Sequence, residues 1–211
     1  AALDVPGVTL GLVSGERFDL NKVADGTQSL RTSQAVGIHL ERRQKIVSDC
    51  FQSFDYPAAI GRLREILSLP DIKTEKKDMF QGWLSLAKAL DSWDRFDHAS
   101  AWLVLHNYRG KYTKLVMFLE AIIWNRSKLD TRFLLEKLPG LGNPQKGHGY
   151  ELVEDLYFNA QRRASQGRFD DAVARLYRAL ELLAQTRLRL AYGIDTANVT
   201  MDRLPEELRR E

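Results

Sequence analysis

Four polar side chains share one helical stretch: Arg175, Arg178, Glu181 and Gln185, within GRFDDAVARLYRALELLAQTRLRL (Gly167–Leu190). Guanidinium groups suit planar, bidentate recognition of phosphate or carboxylate. At about 100° per residue, Arg175, Arg178 and Gln185 lie opposite Phe169, Ala172, Val173, Leu176, Tyr177, Leu180, Leu183 and Ala184. That i, i+3, i+4, i+7 spacing predicts an apolar stripe buried against the rest of the chain. Leu182 falls among the polar residues, so the outer side is not purely solvated. The plainest reading is two surface ion pairs, Asp171–Arg175 and Arg178–Glu181, worth about 0.2–0.5 kcal/mol each. The functional reading ranks the Arg–Glu–Gln face first as an inter-helix or subunit contact, second as an RNA-phosphate site, and third as a site of chemistry.

A second cluster is WDRFDH, Trp93 to His98. His98 beside Asp94 and Asp97 has the makings of a general base. The structural reading is stronger: Asp94 or Asp97 caps a helix, and Trp93 and Phe96 wedge a helix hairpin. Metal binding is not expected, because His39, His98, His106 and His148 form no HxxxH and no CxxC exists. The glycine-bearing loop PGLGNPQKGHG lacks the GxxxxGK[ST] form and follows no strand, so no nucleotide P-loop is expected. No cofactor is implied. Cys50, the only cysteine, lies on an apolar helical stripe and reads as core.

The elements that must position these groups are mostly helices. At 211 residues and 44% hydrophobic, the chain can bury a substantial core. Its net charge of +3 does not by itself indicate nucleic acid. The charge is uneven, however. Residues 160–190 hold seven Arg, no Lys and three acids, a local excess of four. The absence of a signal peptide or a spanning apolar run fits a cytoplasmic protein without a membrane partner. Val8–Val13 reads as a strand, Asp25–Gly26 as a turn and QSLR as a second run, together a β-hairpin over residues 1–35. From about residue 36 the pattern is helical: a Val47, Cys50, Phe51, Phe54 stripe, then 79–93, 99–106, 113–125, 128–138 and 150–192, with Gly193 as a C-terminal cap.

Three segments repeat loosely: FDYPAAIGRLREIL (54–67), WDRFDHASAWLVL (93–105) and GRFDDAVARLYRAL (167–180). Aligned on an aromatic, they place Ala59, Ala99 and Ala172 in register, where small side chains let two helices approach. Tetratricopeptide arrays share this logic with a stricter period of about 34 residues. The uneven spacing here favours a bundle of hairpin units over a solenoid.

WDRFDHASA (93–101), GRFDDAVARLYRALELLAQTRL (167–188) and GLVSGERFDLNKVADGTQ (11–28) together resemble a family of CRISPR-associated type III accessory proteins. These join an N-terminal CARF sensor domain to a C-terminal helical domain, and this chain is similar to the C-terminal part. The resemblance implies that residues 1–35 end a CARF domain and that 36–211 form a HEPN-like helical domain acting in antiviral defence. It implies a homodimer, RNA as a possible partner, and cyclic oligoadenylate bound only by the missing sensor. HEPN ribonucleases place a His after an Arg with four to six residues between them. No pair here fits: seven residues separate Arg31 from His39, and two separate Arg95 from His98. The expectation is therefore a mostly α bundle of hairpin units, HEPN-like or tetratricopeptide-like, that serves as an effector or interaction domain. An RNA-cleaving effector with a non-standard site, using Arg175, Arg178 and His98, is the alternative. A generic tetratricopeptide-like scaffold is a further one.

Overall fold

The computed structural model describes residues 12–14, 17–19, 22–23, 29–31, 33–70, 72–129, 135, 138–142, 147–200, 202, 204 and 206. Four short strands come first: β1 (Leu12–Ser14), β2 (Arg17–Asp19), β3 (Lys22–Val23) and β4 (Ser29–Arg31). β1 pairs antiparallel with β4, Val13 opposite Leu30, and β2 with β3, which is a nested hairpin arrangement. Val8–Gly11 and the Asp25–Gly26 turn lie outside the described residues.

Among the described residues seven α-helices follow: α1 (Ser33–Gln52), α2 (Tyr56–Leu67), α3 (Thr74–Asp94), α4 (His98–Leu105), α5 (Thr113–Leu129), α6 (Glu151–Ser165) and α7 (Phe169–Tyr192). A 3-10 turn at His106–Tyr108 links α4 to α5. α5 runs through the expected 125/128 boundary, and residues 130–134, 136 and 137 of the expected second helix lie outside the described set. The mostly α architecture is as the periodicity predicts.

Three of the helix connections share one turn. At each, a left-handed residue ends a helix: Phe54 (φ 57°), Phe96 (φ 62°) and Gly167 (φ 72°). Its N–H donates three residues back, and the next N–H donates five back. The pairs are Phe54 to Phe51 and Asp55 to Cys50; Phe96 to Trp93 and Asp97 to Ser92; Gly167 to Ala164 and Arg168 to Arg163. This is the Schellman pattern, which satisfies orphan carbonyls and reverses the chain. Only Gly adopts such a φ without steric cost, so the two Phe residues are held there by their surroundings. Asp55 and Asp97 then cap α2 and α4, accepting from the N–H of Ala58 and Ser100 at 3.1 Å each.

This geometry corrects the repeat register. Counting from the left-handed residue, the equivalent alanines are Ala59, Ala101 and Ala172, all buried at hairpin seams. Ala99 is only partly buried and out of register, because the fixed point of the motif is the turn and not the aromatic.

Two apolar clusters lie along α3. One joins Leu40 and Val47 of α1, Leu63 and Ile66 of α2, and Phe80. Cys50 and Phe51 pack at its edge. The other joins Trp93, Trp102, Leu105, Val116, Leu119, Ile122 and Ile123 of α3, α4 and α5. The C-terminal hairpin, α6 and α7, differs from both. The residues α6 buries are Glu151, Asp155, Asn159, Ala160 and Arg163, and α7 buries Ala172, Ala179 and Thr186.

The predicted burial of the α7 stripe is therefore wrong. Phe169, Val173, Leu176, Tyr177, Leu180 and Leu183 are exposed, Tyr177 at 75% and Leu180 at 65%, and so is Ala184. α7 instead packs through its small residues, about a quarter-turn away from the stripe. Small side chains allow close helix approach, and that leaves the large ones outside. Gly193 (φ 64°) caps α7 as expected, its N–H donating to Arg189. Among the described residues no helix is long and apolar enough to cross a membrane.

Candidate functional site

The site is built on a ladder of buried polar side chains along α6. Glu151, Asp155, Asn159 and Arg163 recur every four residues, which puts them one above another on a single helix face. Buried polar groups are tolerated only when hydrogen-bonded. Each rung meets a partner from another helix.

At the Asp155 rung, 1% exposed, the carboxylate accepts from Trp93 Nε1 at 2.9 Å and from His98 Nε2 at 2.8 Å. The other ring nitrogen of His98, Nδ1, faces an Arg126 guanidinium nitrogen at 3.1 Å, and Arg126 also donates to the Phe96 carbonyl at 2.7 Å. A guanidinium has no acceptor, so Nδ1 must accept and the ring proton sits on Nε2 toward Asp155. His98 is itself 1% exposed.

At the next rung, Asn159 Nδ2 donates to the Asp94 carbonyl and carboxylate, both at 2.9 Å. Asp94 also accepts from Arg162 Nε at 2.9 Å and from Arg163. Arg175 reaches over from α7 to donate to Asn159 Oδ1, and to the Asp171 carbonyl at 3.3 Å. Its guanidinium carbon lies 6.0 Å from the centre of the Phe96 ring. Burial, and then the neighbouring Arg163 charge, lower the pKa of Arg175, while Asp171 and Asp94 oppose them. Gln166 completes the set, donating to the carbonyls of Ser53 at 3.2 Å and Phe54 at 2.9 Å. One network thus ties the α1–α2, α3–α4 and α6–α7 turns together.

At the first rung, Glu151 accepts from Asn125 Nδ2 at 2.6 Å and from the Gly149 N–H at 3.3 Å. Burial raises its carboxyl pKa. The hydrogen bonds from Asn125 and the backbone outweigh this, leaving it below the ordinary glutamate value.

The residues singled out in the sequence separate here. Arg175 faces inward and joins the network. Arg178 is exposed and pairs with Glu181. Gln185 donates to the same Glu181 at 3.4 Å. His98 is sealed between Asp155 and Arg126, away from the exposed α7 surface that carries Arg178. With both nitrogens engaged and no solvent access, it has no path to a phosphate in this conformation. Asp97, not Asp94, is the cap of α4, and Asp94 is the acceptor at the centre of the network. Among the described residues no group of three or more His, Cys, Asp or Glu side chains converges as a metal would require.

Apolar periodicity missed the α6 ladder. Its signal is E-x3-D-x3-N-x3-R, polar residues at the spacing usually reserved for a buried stripe.

The cap offers a simple test. Burial raises the Asp97 carboxyl, but the Ser100 hydrogen bonds and the Arg126 charge bring it below the ordinary value. Asp97→Ala is expected to cost about 0.5–2 kcal/mol at neutral pH. A folded pKa below the unfolded one stabilises fully above about pH 4 and is lost as pH falls through the folded value. The gap between wild type and variant in urea unfolding should therefore close in acid. A gap that ignores pH would remove the charged cap from the account.

The described helices form a mostly α bundle of helix hairpins. Residues 142–211, which carry α6, its polar ladder and α7, match the family model of the Csm6 HEPN domain. For this part of the chain the match supports a CRISPR type III accessory protein with a C-terminal HEPN-like region. No curated protein and no solved structure shows a significant match.

Proposed function

We propose that the chain carries the dimeric effector or interaction region of a type III CRISPR accessory protein, acting in antiviral defence downstream of a CARF sensor for cyclic oligoadenylate. Residues 1–35 are assigned to the end of that sensor and 36–211 to the helical domain. The observation that carries the dimer is the bare apolar face of α7. Of the fourteen large hydrophobic side chains exposed among the described residues, eight lie on this helix. Contiguous apolar surface of this kind marks an interaction site.

A second copy of the same chain fits it. In a two-fold arrangement each patch meets itself, and with the axis perpendicular to α7 the two copies of the helix run antiparallel. The exposed Asp170 at one end of the helix then faces the exposed Arg187 at the other, and the helix dipoles oppose. Glu181 borders the stripe, with Arg178 and Gln185 beyond it. This edge is assigned to the subunit contact and, next, to RNA phosphate. Arg175 holds α7 on α6 beneath it.

Sedimentation at about 10 μM, a concentration matched to micromolar affinity, tests the reading. Wild type should sediment as a dimer. Tyr177→Arg with Leu180→Arg should yield a monomer of unchanged helical content. Monomeric wild type, or a variant that stays dimeric, would overturn it.

A further inference from the structure

A cavity of about 310 Å³ opens between α5, residues 147–151 and the C-terminal half of α7. It is separate from the Arg175–Asp94 network and from the centre of the α7 stripe. Trp124, Asn125 and Lys128 of α5 line it, with Glu151 and Arg189 opposite. We infer that this cavity binds a nucleoside monophosphate, with the base against Trp124, the base edge on Asn125 and Glu151, and the phosphate on Lys128 and Arg189.

The buried polar wall is set before any ligand arrives. Asn125 is 5% exposed and Glu151 4%. The Asn125 amide nitrogen is committed to Glu151 at 2.6 Å. No donor among the described residues reaches the Asn125 Oδ1. The floor therefore presents acceptors, an amide oxygen and an ionised carboxylate. The 147–149 loop lies directly against that carboxylate: a Cβ on Gly147 would stand 2.0 Å from Glu151 Oε1, so a larger residue there would have to displace the carboxylate. The indole N–H of Trp124 is buried, with no hydrogen-bond partner among the described residues. The ring offers an apolar face of the kind on which unpaired bases stack.

The rim carries the opposite charge. Lys128 and Arg189 form no ion pair among the described residues, and Glu151 is the one acid lining the cavity. An apolar ring, inner acceptors and two outer cations suit a base with donor groups joined to a phosphate. The volume sits at the small end of ligand pockets, about 300–1,000 Å³, which is room for one nucleotide. An acceptor floor favours edges with an amino group, as in adenine, guanine and cytosine. Uracil offers one N–H between two carbonyls, which the floor repels. The source is either a free nucleotide or one unit of a single-stranded RNA. This inference goes beyond the dimer reading and is independent of it, since a monomer that binds nucleotide leaves it standing.

Calorimetric titration of the full chain with AMP, UMP and adenosine, and anisotropy with a fluorescent ten-residue oligo(A), test it together. AMP or oligo(A) should bind with Kd below about 1 mM, and the UMP or oligo(U) counterpart at least tenfold more weakly. Lys128→Ala with Arg189→Ala, both at the rim and outside the core, should weaken binding at least tenfold, as should removal of the phosphate in adenosine. Trp124→Leu should do the same while circular dichroism stays unchanged. Binding of AMP alone assigns the site to free nucleotide, and binding of oligo(A) alone to RNA. No binding of either, or binding that the rim variant leaves intact, would overturn the inference.

Discussion

Asp94→Ala is expected to lower the unfolding free energy by about 3–5 kcal/mol, the range for stripping one partner from a buried ion pair. At a chain of this size that is a fall of about 6–20 °C in Tm. The carboxylate takes bonds from Asn159, Arg162 and Arg163 and is 5% exposed. Its loss leaves the Arg163 guanidinium, only 7% exposed and with no partner for its Nε among the described residues, as an uncompensated buried charge. Asn159 would lose one of its two acceptors on Asp94. Arg178→Ala removes an ion pair whose partners are about half exposed, and such pairs contribute about 0–1 kcal/mol. Adding Arg163→Met to Asp94→Ala should recover part of the loss, since removing both charges leaves nothing stranded. Urea unfolding with an unchanged m-value measures all three. An Asp94→Ala cost below about 1 kcal/mol would mean that the network contributes little to stability.

Trp102→Ala should be comparably severe, about 3–5 kcal/mol. Trp102 is fully buried where α4 meets α5. Its Nε1 donates to the Pro139 carbonyl at 2.8 Å, and its ring stacks on His106 with centroids 5.8 Å apart. Truncation opens a cavity and releases the Pro139 segment. Trp102→Phe keeps most of the contact area and loses the hydrogen bond, at a cost of about 1–3 kcal/mol. The ordering Ala worse than Phe, read from thermal and urea unfolding, is the check. Equal losses for the two variants would place the hydrogen bond above the packing.

The helix hairpins were legible in the sequence because their signals are local. In the sequence Asp94 or Asp97 marks a helix start and Gly193 an end; Asp55 and Gly167 carry the same kinds of signal. Phe54 and Phe96 hid the same turn, since nothing in the residue type marks a phenylalanine held at positive φ. The aromatic therefore aligns Ala99 in the sequence, while the turn places Ala101 at the equivalent position. The polar ladder was hidden for a related reason. A run of Glu, Asp, Asn and Arg every four residues reads as a wet face, and becomes a core only when Trp93, Asp94, His98, Asn125 and Arg175 arrive from four other helices.

α7 shows the division most clearly. Periodicity alone determined that it is a helix, that Phe169, Val173, Leu176, Tyr177 and Leu180 share one face, and that Arg178 and Gln185 lie opposite. Those are properties of the 3.6-residue repeat and need no partner. Which face meets the protein was decided only by tertiary structure. The seam is set by close approach to α6, where Ala172, Ala179 and Thr186 fit and Arg175 finds Asn159. The large apolar face then stays outside, because a helix buries the side its neighbours can cover and not always its most hydrophobic one.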